Sequence, residues 1–392
     1  MNRSLYLLAI CQGLFLTYNI VFIAINGLIG LSLAPLGWMA TLPVMGYVVG
    51  GALSTPLVAR TQSAWGRKVS FQLGLAVALV SSLLCAYAVI DKNFWLLVAA
   101  TVVAGYYSAN GQLYRFAAAE LAAPAFRDKA ISLVLAGGLI GAVIGPNLAT
   151  RTKDLMSVPF AGAYLALAVV ALISMAIVAG LAFPPVPPKV AGAPVGRPLR
   201  EIMLQPVFIV STLGAALGYG VMNLLMAATP LAMQVCNLPF EDAALVLQWH
   251  VIGMFAPGFF TGHLIRRFGT LPIMAVGVLL NAVCIAVALS GVGLQEFLVA
   301  LFLLGVGWNF LCTGSTSLSL KAYQPVEKDR AQGAINFCVF AVMALTSFAS
   351  GALVTTQGWT WLNLGSIVPV GLTGLVLLWF ALRMHATRNA PA

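Results

Sequence analysis

Two pairs of side chains that can bind metal stand out in the second half of the 392-residue sequence. Met222 and Met226 form an M-x-x-x-M pair, and His250 and Met254 form an H-x-x-x-M pair. Residues four apart share one face of a helix, so each pair presents two ligands side by side. Three thioethers and one imidazole make a soft, uncharged ligand set, which favours Cu(I) over harder divalent ions. The spacing therefore predicts a copper site on two neighbouring helices.

The same four residues also have an ordinary structural interpretation. Met fills irregular gaps in apolar cores, and a His can hydrogen-bond a neighbouring helix. Each pair alone fits that role. Together, however, the pairs occupy segments that are adjacent in sequence, and all four side chains fall within about 10 Å of the expected membrane centre at about 1.5 Å per residue. This overlap favours a shared metal site.

The composition requires a membrane setting for these helices. Hydrophobic residues make up 61% of the chain and charged residues 8%, with a mean hydropathy of +0.99, whereas soluble domains carry roughly 25% charged residues. The net charge of +10 comes from small basic clusters rather than a dense basic run, which excludes nucleic-acid binding. The six cysteines include no C-x-x-C pair, so we expect no disulfide framework.

Cutting the chain at charged, Pro-rich and Gly-rich breaks gives twelve apolar segments of spanning length, so the sequence predicts an all-α integral membrane protein with twelve transmembrane helices. The segments are residues 5–27, 37–58, 69–90, 94–114, 130–150, 160–182, 206–232, 243–265, 271–290, 296–318, 332–354 and 361–382.

The distribution of basic residues predicts the orientation of these helices. With both termini inside, 17 of the 20 Lys and Arg fall on the inner side. Only Lys92, Arg151 and Lys153 fall on the outer side. By the positive-inside rule, both termini are cytoplasmic in a multi-pass protein of a bacterial inner membrane.

The two halves of the chain show an internal repeat. Gly66 and Gly269 lie in basic turns 203 positions apart, and Arg127 and Arg330 lie in similar turns with the same separation. A Pro-rich stretch separates the halves. We therefore expect a six-helix bundle over 1–183, a cytoplasmic linker over 184–205 and a second bundle with the metal site over 206–392.

At these turns the chain resembles the major facilitator superfamily, whose loop signature is G-x-x-x-D-R/K-x-G-R-K/R. The resemblance implies two six-helix bundles that rock about a central site to give alternating access. Two departures are present. Ala59 and Ser63 replace the Gly and Asp of the first copy, and Arg266 replaces the Asp of the second. A charge relay through that Asp is therefore not expected.

Ionisable side chains inside the membrane are the usual markers of a transport path. No carboxylate falls in the middle of a predicted segment, and Arg115 falls at the inner end of the fourth. We therefore expect no buried counter-ion for an organic anion, and His250 is the one group near the centre that ordinarily titrates around neutral pH. In the fifth segment, Gly137, Gly141 and Gly145 form a small-residue face, followed by Pro146, which indicates close helix packing.

The two metal-binding pairs also resemble those of the CcoA-like copper importers, a family within this superfamily. The resemblance implies that Met222, Met226, His250 and Met254 are the copper ligands. It implies copper import from periplasm to cytoplasm, without a prosthetic group, for the assembly of haem-copper (cbb3-type) cytochrome oxidase. Expected partners are the copper ion, the lipid bilayer and copper carriers on either side, with the protein acting as a monomer.

The family also contains members without these pairs that are thought to carry riboflavin, so a riboflavin or other small aromatic-solute transporter is the alternative. Tyr and Trp side chains stack on flavins, and amides hydrogen-bond them. A drug antiporter and a copper-binding sensor also remain, whereas no motif indicates an enzyme. Residues that suit an aromatic solute are Asn19, Asn26, Tyr47, Tyr106, Tyr107, Asn110, Asn147, Tyr219, Asn223, Gln248, Trp308, Asn309 and Asn336.

Overall fold

The computed structural model describes residues 3–123, 127–183 and 196–388, and this part of the chain is helical. Most of the predicted linker, residues 184–195, lies outside the described residues. The described helices are α1 (Arg3–Leu33), α2 (Leu42–Ile90), α3 (Phe94–Gly111), α4 (Tyr114–Leu121), α5 (Arg127–Ala136), α6 (Gly138–Thr152), α7 (Ala161–Ala179), α8 (Leu199–Met203), α9 (Pro206–Val235), α10 (Phe240–Phe255), α11 (Gly258–Phe268), α12 (Thr270–Ser290), α13 (Leu294–Ser319), α14 (Lys328–Thr356) and α15 (Gly358–Arg388).

Each of the twelve predicted segments coincides with a helix, one arm of α2, or two consecutive helices. Ten described helical stretches are long and apolar enough to cross a membrane, and α10 with α11, bent by 41°, would make eleven. The remaining segment contains α3, which is 18 residues long and is not among these candidates. These helices confirm a multi-pass protein. By length and hydropathy, however, the described helices give ten or eleven candidate spans rather than the predicted twelve.

The repeated basic turns have the same backbone geometry. Gly66, where the two arms of α2 meet, has φ 81° and ψ 171°. Gly269, between α11 and α12, has φ 91° and ψ 162°. Such positive φ values suit glycine, because a Cβ atom would be strained there. The two turns, 203 positions apart in the sequence, therefore have the same backbone conformation at their glycine.

The small-residue face of the fifth predicted segment packs against α1. A Cβ atom at Gly141 would lie 2.7 Å from the carbonyl oxygen of Gly13 and 2.8 Å from the amide nitrogen of Thr17. Gly137 separates α5 from α6, and a Cβ atom there would overlap the carbonyl oxygen of Ala9. The close packing that the sequence predicted is thus confirmed, with α1 as the partner helix.

Several contacts join the two predicted halves at the end expected to face outward. Lys153, at the end of α6, forms an ion pair of 2.7 Å with Glu241 at the start of α10. The rings of Phe160 and Phe240 meet edge to face beside it, with centroids 5.4 Å apart. Farther along this end, the Thr41 hydroxyl donates to the carbonyl oxygen of Ser347 over 2.6 Å. The halves are therefore held together on this side.

Candidate functional site

Helix α9 positions the first predicted ligand pair. Met222 and Met226 lie one turn apart, and each is about 5% exposed. Pro230, inside the same helix, cannot donate the hydrogen bond that the carbonyl oxygen of Met226 would otherwise accept. Both thioethers therefore lie in the buried middle of a helix that is locally weakened next to the second Met.

Helix α10 positions His250, which is fully buried. Its Nδ1 atom lies 2.6 Å from the carbonyl oxygen of Leu301 in α13. A carbonyl oxygen can only accept, so Nδ1 carries the proton and Nε2 presents a lone pair. The Nε2 atom is buried without a hydrogen-bond partner. A ring that donates one N–H to a backbone carbonyl and leaves the other nitrogen free is the usual arrangement of a metal-binding histidine.

Close approach of α13 to α10 makes this hydrogen bond possible. A Cβ atom at Gly305 would overlap the carbonyl oxygen of His250. At Gly253 it would lie 2.7 Å from the carbonyl oxygen of Phe302. Glycines on both helices thus let the backbones approach to a distance that longer side chains would prevent.

Met254 lies at the end of α10, just before the bend into α11. Pro257 follows three residues later. The Asn309 side chain donates from Nδ2 to the carbonyl oxygen of Met254 over 2.7 Å, and the Thr261 hydroxyl donates to Oδ1 of Asn309 over 2.7 Å. The bend is therefore held by a side-chain network, which also fixes the backbone beside the predicted ligand.

The three methionines belong to one apolar cluster that joins the two halves. Met222, Met226 and Met254 pack in the same group of buried residues as Tyr18, Phe22 and other side chains of the first half. His250 lies between them in sequence and points its Nδ1 atom toward α13. Among the described residues, no group of three or more His, Cys, Asp or Glu side chains could hold a metal ion.

Many of the polar residues predicted to suit an aromatic solute form hydrogen bonds inside the protein. The Tyr47 hydroxyl donates to Asn19 over 2.9 Å, and Asn223 donates to the Ser347 hydroxyl over 2.8 Å. Asn147 and Gln248 face each other across the two halves at 3.4 Å. The Tyr219 and Trp308 rings meet edge to face, with centroids 5.1 Å apart.

The fourth predicted segment contains a break in the helix. Helix α3 ends at Gly111 and α4 begins at Tyr114, so Arg115 lies in the short helix α4 rather than at the end of one continuous helix. The Nε atom of Arg115 is buried without a hydrogen-bond partner, and its guanidinium group lies over the Phe116 ring, 4.9 Å from the ring centroid.

A cavity of about 500 Å³ lies on the side of the Met pair that is expected to face outward. Pro230 and Gln234 line it, and they follow Met226 at four-residue intervals on the same face of α9. Phe160 and Phe240, the aromatic pair that joins the halves, also line it. The cavity thus lies one to two turns beyond the predicted ligands.

Comparison with known proteins identifies the family of this chain. The family described as Major Facilitator Superfamily matches residues 5–257 and 212–392. The chain belongs to the Major Facilitator Superfamily. Its solved structures include the human organic anion transporter MFSD10 (TETRAN), to which this chain is similar with a TM-score of 0.69 at 14% identity, over 96% of this chain and 99% of that one. That similarity confirms the superfamily fold.

Curated relatives within the superfamily bear on the substrate. The riboflavin transporter RfnT of Brucella anthropi is 36% identical over 384 residues, covering 96% of both chains. The uncharacterized MFS-type transporters YddS and YdeG of Bacillus subtilis are each 25% identical, over 364 and 373 residues. These relatives support a transporter, and RfnT favours the riboflavin alternative over copper.

Proposed function

We propose that this transporter imports copper as Cu(I), with Met222, Met226, His250 and Met254 as its ligands. The observation that carries the proposal is the buried Nε2 atom of His250, which has no hydrogen-bond partner. Burying a polar atom without a partner costs about 1 to 3 kcal/mol. A bound soft cation would supply that partner. The three thioethers lie in the apolar cluster that joins the halves. They are soft ligands, so they also favour a soft cation.

The relative RfnT, whose name gives its substrate, supports riboflavin instead. The reason to propose copper lies in which part of a transporter selects its substrate. In shared folds, substrate is set by the side chains of the site rather than by the fold. At 36% identity, most positions differ between the two chains. The side chains of α9 and α10 therefore support a substrate more directly than the overall similarity to RfnT does.

The proposed path begins in the outward cavity and passes Met226 first. Cu(I) would then be shared among Met222, Met254 and His250. Neutral ligands suit a transporter, because they release a bound ion more readily than a set of thiolate ligands does. Rocking of the proposed halves, 1–183 and 206–392 around the 184–205 linker, would open the site to the cytoplasm, where the expected carriers remove the ion for cytochrome oxidase assembly.

Riboflavin is the second candidate, favoured by the relation to RfnT. Tyr219 and Trp308 form an aromatic pair at the same interface as the methionines. A flavin ring can stack on such side chains. A riboflavin carrier would tolerate loss of the thioether sulfurs, because sulfur ligands play no part in binding a flavin.

Parallel uptake of copper-64 and tritiated riboflavin tests both candidates. The cells lack their own importers and express the native chain or Met222→Leu, Met226→Leu, Met254→Leu or His250→Gln at matched levels. Leucine keeps the volume of methionine and removes the sulfur. Met274→Leu is the matched control, because Met274 is fully buried in a different cluster.

We expect copper uptake by the native chain to exceed the empty-vector control, and to fall about tenfold or more in each site variant while Met274→Leu stays at the native level. Copper uptake by the native chain no higher than the vector control would overturn the copper proposal. If riboflavin uptake is then high and unaffected by the Leu variants, the protein is a riboflavin carrier.

A further inference from the structure

We propose that one anionic phospholipid binds at the end of the second half that is predicted to face the cytoplasm. Its phosphate would lie between Lys321 and Arg383, and an acyl chain would enter the apolar groove beside them. All residues that line the groove belong to the second half, so the site is separate from the proposed copper ligands. The groove has a volume of about 270 Å³ and is lined by Pro206, Val207, Leu318, Lys321, Phe380, Arg383 and Met384.

The groove lies among the ends of three helices. Helix α9 begins in it, Lys321 follows the end of α13, and Arg383 lies in the last turns of α15. Leu318 and Phe380, which are 3% and 4% exposed, belong to one buried apolar cluster, and Val207 packs against it. The floor of the groove is therefore apolar, whereas its rim carries two cations.

One wall of the groove is an extension that the first half lacks. Helix α7 ends at Ala179, which corresponds to Leu382 at the 203-residue separation of the repeat. Helix α15 continues to Arg388, about 9 Å farther at about 1.5 Å per residue, and this extension contains Arg383. In the first half, Lys68 donates to the carbonyl oxygen of Ala179 over 2.6 Å, so a protein side chain occupies the end of that helix.

The surface of α15 indicates how deep the groove lies in the bilayer. Leu375, Leu378 and Leu382 are 65%, 56% and 61% exposed, which is expected of side chains that contact acyl chains. The Arg383 guanidinium group lies over the Trp379 ring, 5.7 Å from its centroid. Trp is enriched at the membrane–water interface, and basic side chains near helix ends extend toward it. The rim of the groove therefore matches the level of lipid headgroups.

The charges around the groove favour an anion. Helices α9 and α15 contain no Asp or Glu, and Glu296 of α13 lies at the opposite end of that helix. Among the side chains that the structure describes, Lys321 forms no salt bridge. Of the described carboxylates on neighbouring segments, Glu327 pairs with Arg197 over 2.7 Å, and Glu201 is exposed on α8. Basic pockets between spanning helices on the cytoplasmic side suit anionic headgroups, and the positive end of the α9 dipole adds to the attraction.

The apolar walls favour a lipid over a free anion. An inorganic phosphate would contact the two cations and leave the groove unfilled. An acyl chain would fill it and contact Pro206, Val207 and Met384, gaining the dispersion contacts that an empty groove lacks. The combination of a basic rim and an apolar groove therefore matches a phospholipid.

Lipid retention by the full-length protein tests the site. Delipidated protein in detergent is mixed with equal amounts of dioleoylphosphatidylglycerol and dioleoylphosphatidylcholine, which share their acyl chains, and native mass spectrometry counts each bound lipid. The variants are Lys321→Gln, Arg383→Gln, their double variant and Val207→Trp, which fills the groove and keeps both cations.

The matched control is the double variant Arg266→Gln with Arg267→Gln. Both arginines are exposed at the end of α11, and the Arg267 guanidinium group lies over the Phe268 ring, 5.2 Å from its centroid. This variant removes the same charge from the same predicted side of the membrane and leaves the groove unchanged.

We expect the native protein to retain phosphatidylglycerol over phosphatidylcholine by about tenfold, which corresponds to about 1.4 kcal/mol. Each single Gln variant should reduce the preference to about threefold, and the Lys321 and Arg383 double variant should remove it. Val207→Trp should reduce the retention of phosphatidylglycerol, while the control keeps the native preference. Excess inorganic phosphate should not displace the lipid.

Equal retention of the two lipids by the native protein would overturn the proposal, as would a native preference in the Lys321 and Arg383 double variant. An equal loss in the control would assign the effect to general surface charge, and displacement by phosphate would assign the site to a free anion. If Val207→Trp does not fold, the substitutions of the two exposed cations still decide. No copper is present, so failure here leaves the proposed copper ligands untouched, and failure of copper uptake leaves this site standing.

Discussion

The interiors of the two proposed halves differ in how their buried polar groups are satisfied. In the first half, Tyr18 hydrogen-bonds Ser82 at 2.9 Å, and Tyr164 donates to Asn26 over 2.8 Å. Across the described residues, eight buried side-chain atoms lack a partner, and six of them belong to the second half: atoms of Thr212, His250, Asn281, Trp308, Ser315 and Asn363.

This difference indicates that the two proposed halves have different roles. Buried polar groups that are fully paired rigidify a core. Among the described residues of the first half only Gln62 and Arg115 have such an atom without a partner, so we expect this half to act as the more rigid scaffold. The second half leaves hydrogen-bonding capacity open at His250 and Trp308, and Trp308 packs in the apolar cluster that joins the halves. Removing a paired group should therefore reduce stability, whereas removing an unpaired one should reduce ligand binding.

The largest effect is expected at Gly305, where α13 approaches α10. In Gly305→Val the side chain would overlap the carbonyl oxygen of His250 and force the helices apart. We expect copper uptake to be lost and the unfolding temperature to fall, because overpacking costs about 1 to 3 kcal/mol or more. Gly365→Val, at a glycine with no neighbouring atom within 4 Å of its Cβ position, is the control and should retain uptake.

A large effect confined to transport is expected for His250→Gln. The substitution removes the imidazole lone pair at a position whose Nε2 atom has no partner to lose. Copper uptake should fall by about tenfold to 100-fold, while the free energy of unfolding in detergent should fall by no more than about 0.5 to 1.5 kcal/mol, the contribution of the lost hydrogen bond from Nδ1 to Leu301. A fall in stability with uptake intact would assign His250 to the scaffold.

The converse result is expected for Tyr164→Phe in the first half. It removes the hydroxyl that donates to Oδ1 of Asn26 and leaves that oxygen buried without a donor. The free energy of unfolding should fall by about 1 to 3 kcal/mol, and copper uptake per folded molecule should stay at the native level. Thermal unfolding measures the stability, and copper uptake is then measured with equal amounts of folded protein. Together the two measurements separate a loss of stability from a loss of transport.

The smallest effect concerns the contact between Arg197 and the turn before α14. The Arg197 guanidinium, 2.7 Å from Glu327, lowers the pKa of that carboxyl group from its ordinary 4.5 to about 2. A lowered folded-state pKa stabilises the fold above pH 4.5, and this contribution is lost as the pH falls toward 2. Glu327→Gln should flatten the pH dependence of the unfolding temperature in this window. An unchanged pH profile would contradict the role of this carboxylate.

Much of the fold could be predicted from the sequence because its signals are local. Apolar runs of about 20 residues mark helices wherever they occur, and the basic turns at Gly66 and Gly269 marked the repeat. Segment 243–265 predicts one helix, whereas the chain bends between α10 and α11, where Pro257 is a local signal. The Asn309 side chain that satisfies the carbonyl oxygen of Met254 at this bend is 55 positions away in sequence, so no local pattern reveals it.

The candidate site could be predicted only in part, for a similar reason. Four-residue spacing placed each ligand pair on one helix face. The hydrogen bond from His250 to Leu301 joins residues 51 positions apart, so the tautomer and the free Nε2 atom are invisible in a local pattern. Segment 94–114 predicts one continuous helix, whereas the chain breaks after Gly111 and places Arg115 in the separate helix α4.

X-ray absorption at the copper edge tests the central claim most directly. The purified native protein and His250→Gln are loaded with one equivalent of Cu(I), and their spectra are compared. We predict sulfur-dominated coordination with one imidazole in the native protein, and loss of the imidazole scattering in the variant. Failure of the native protein to retain copper, or identical spectra for the two proteins, would contradict the account.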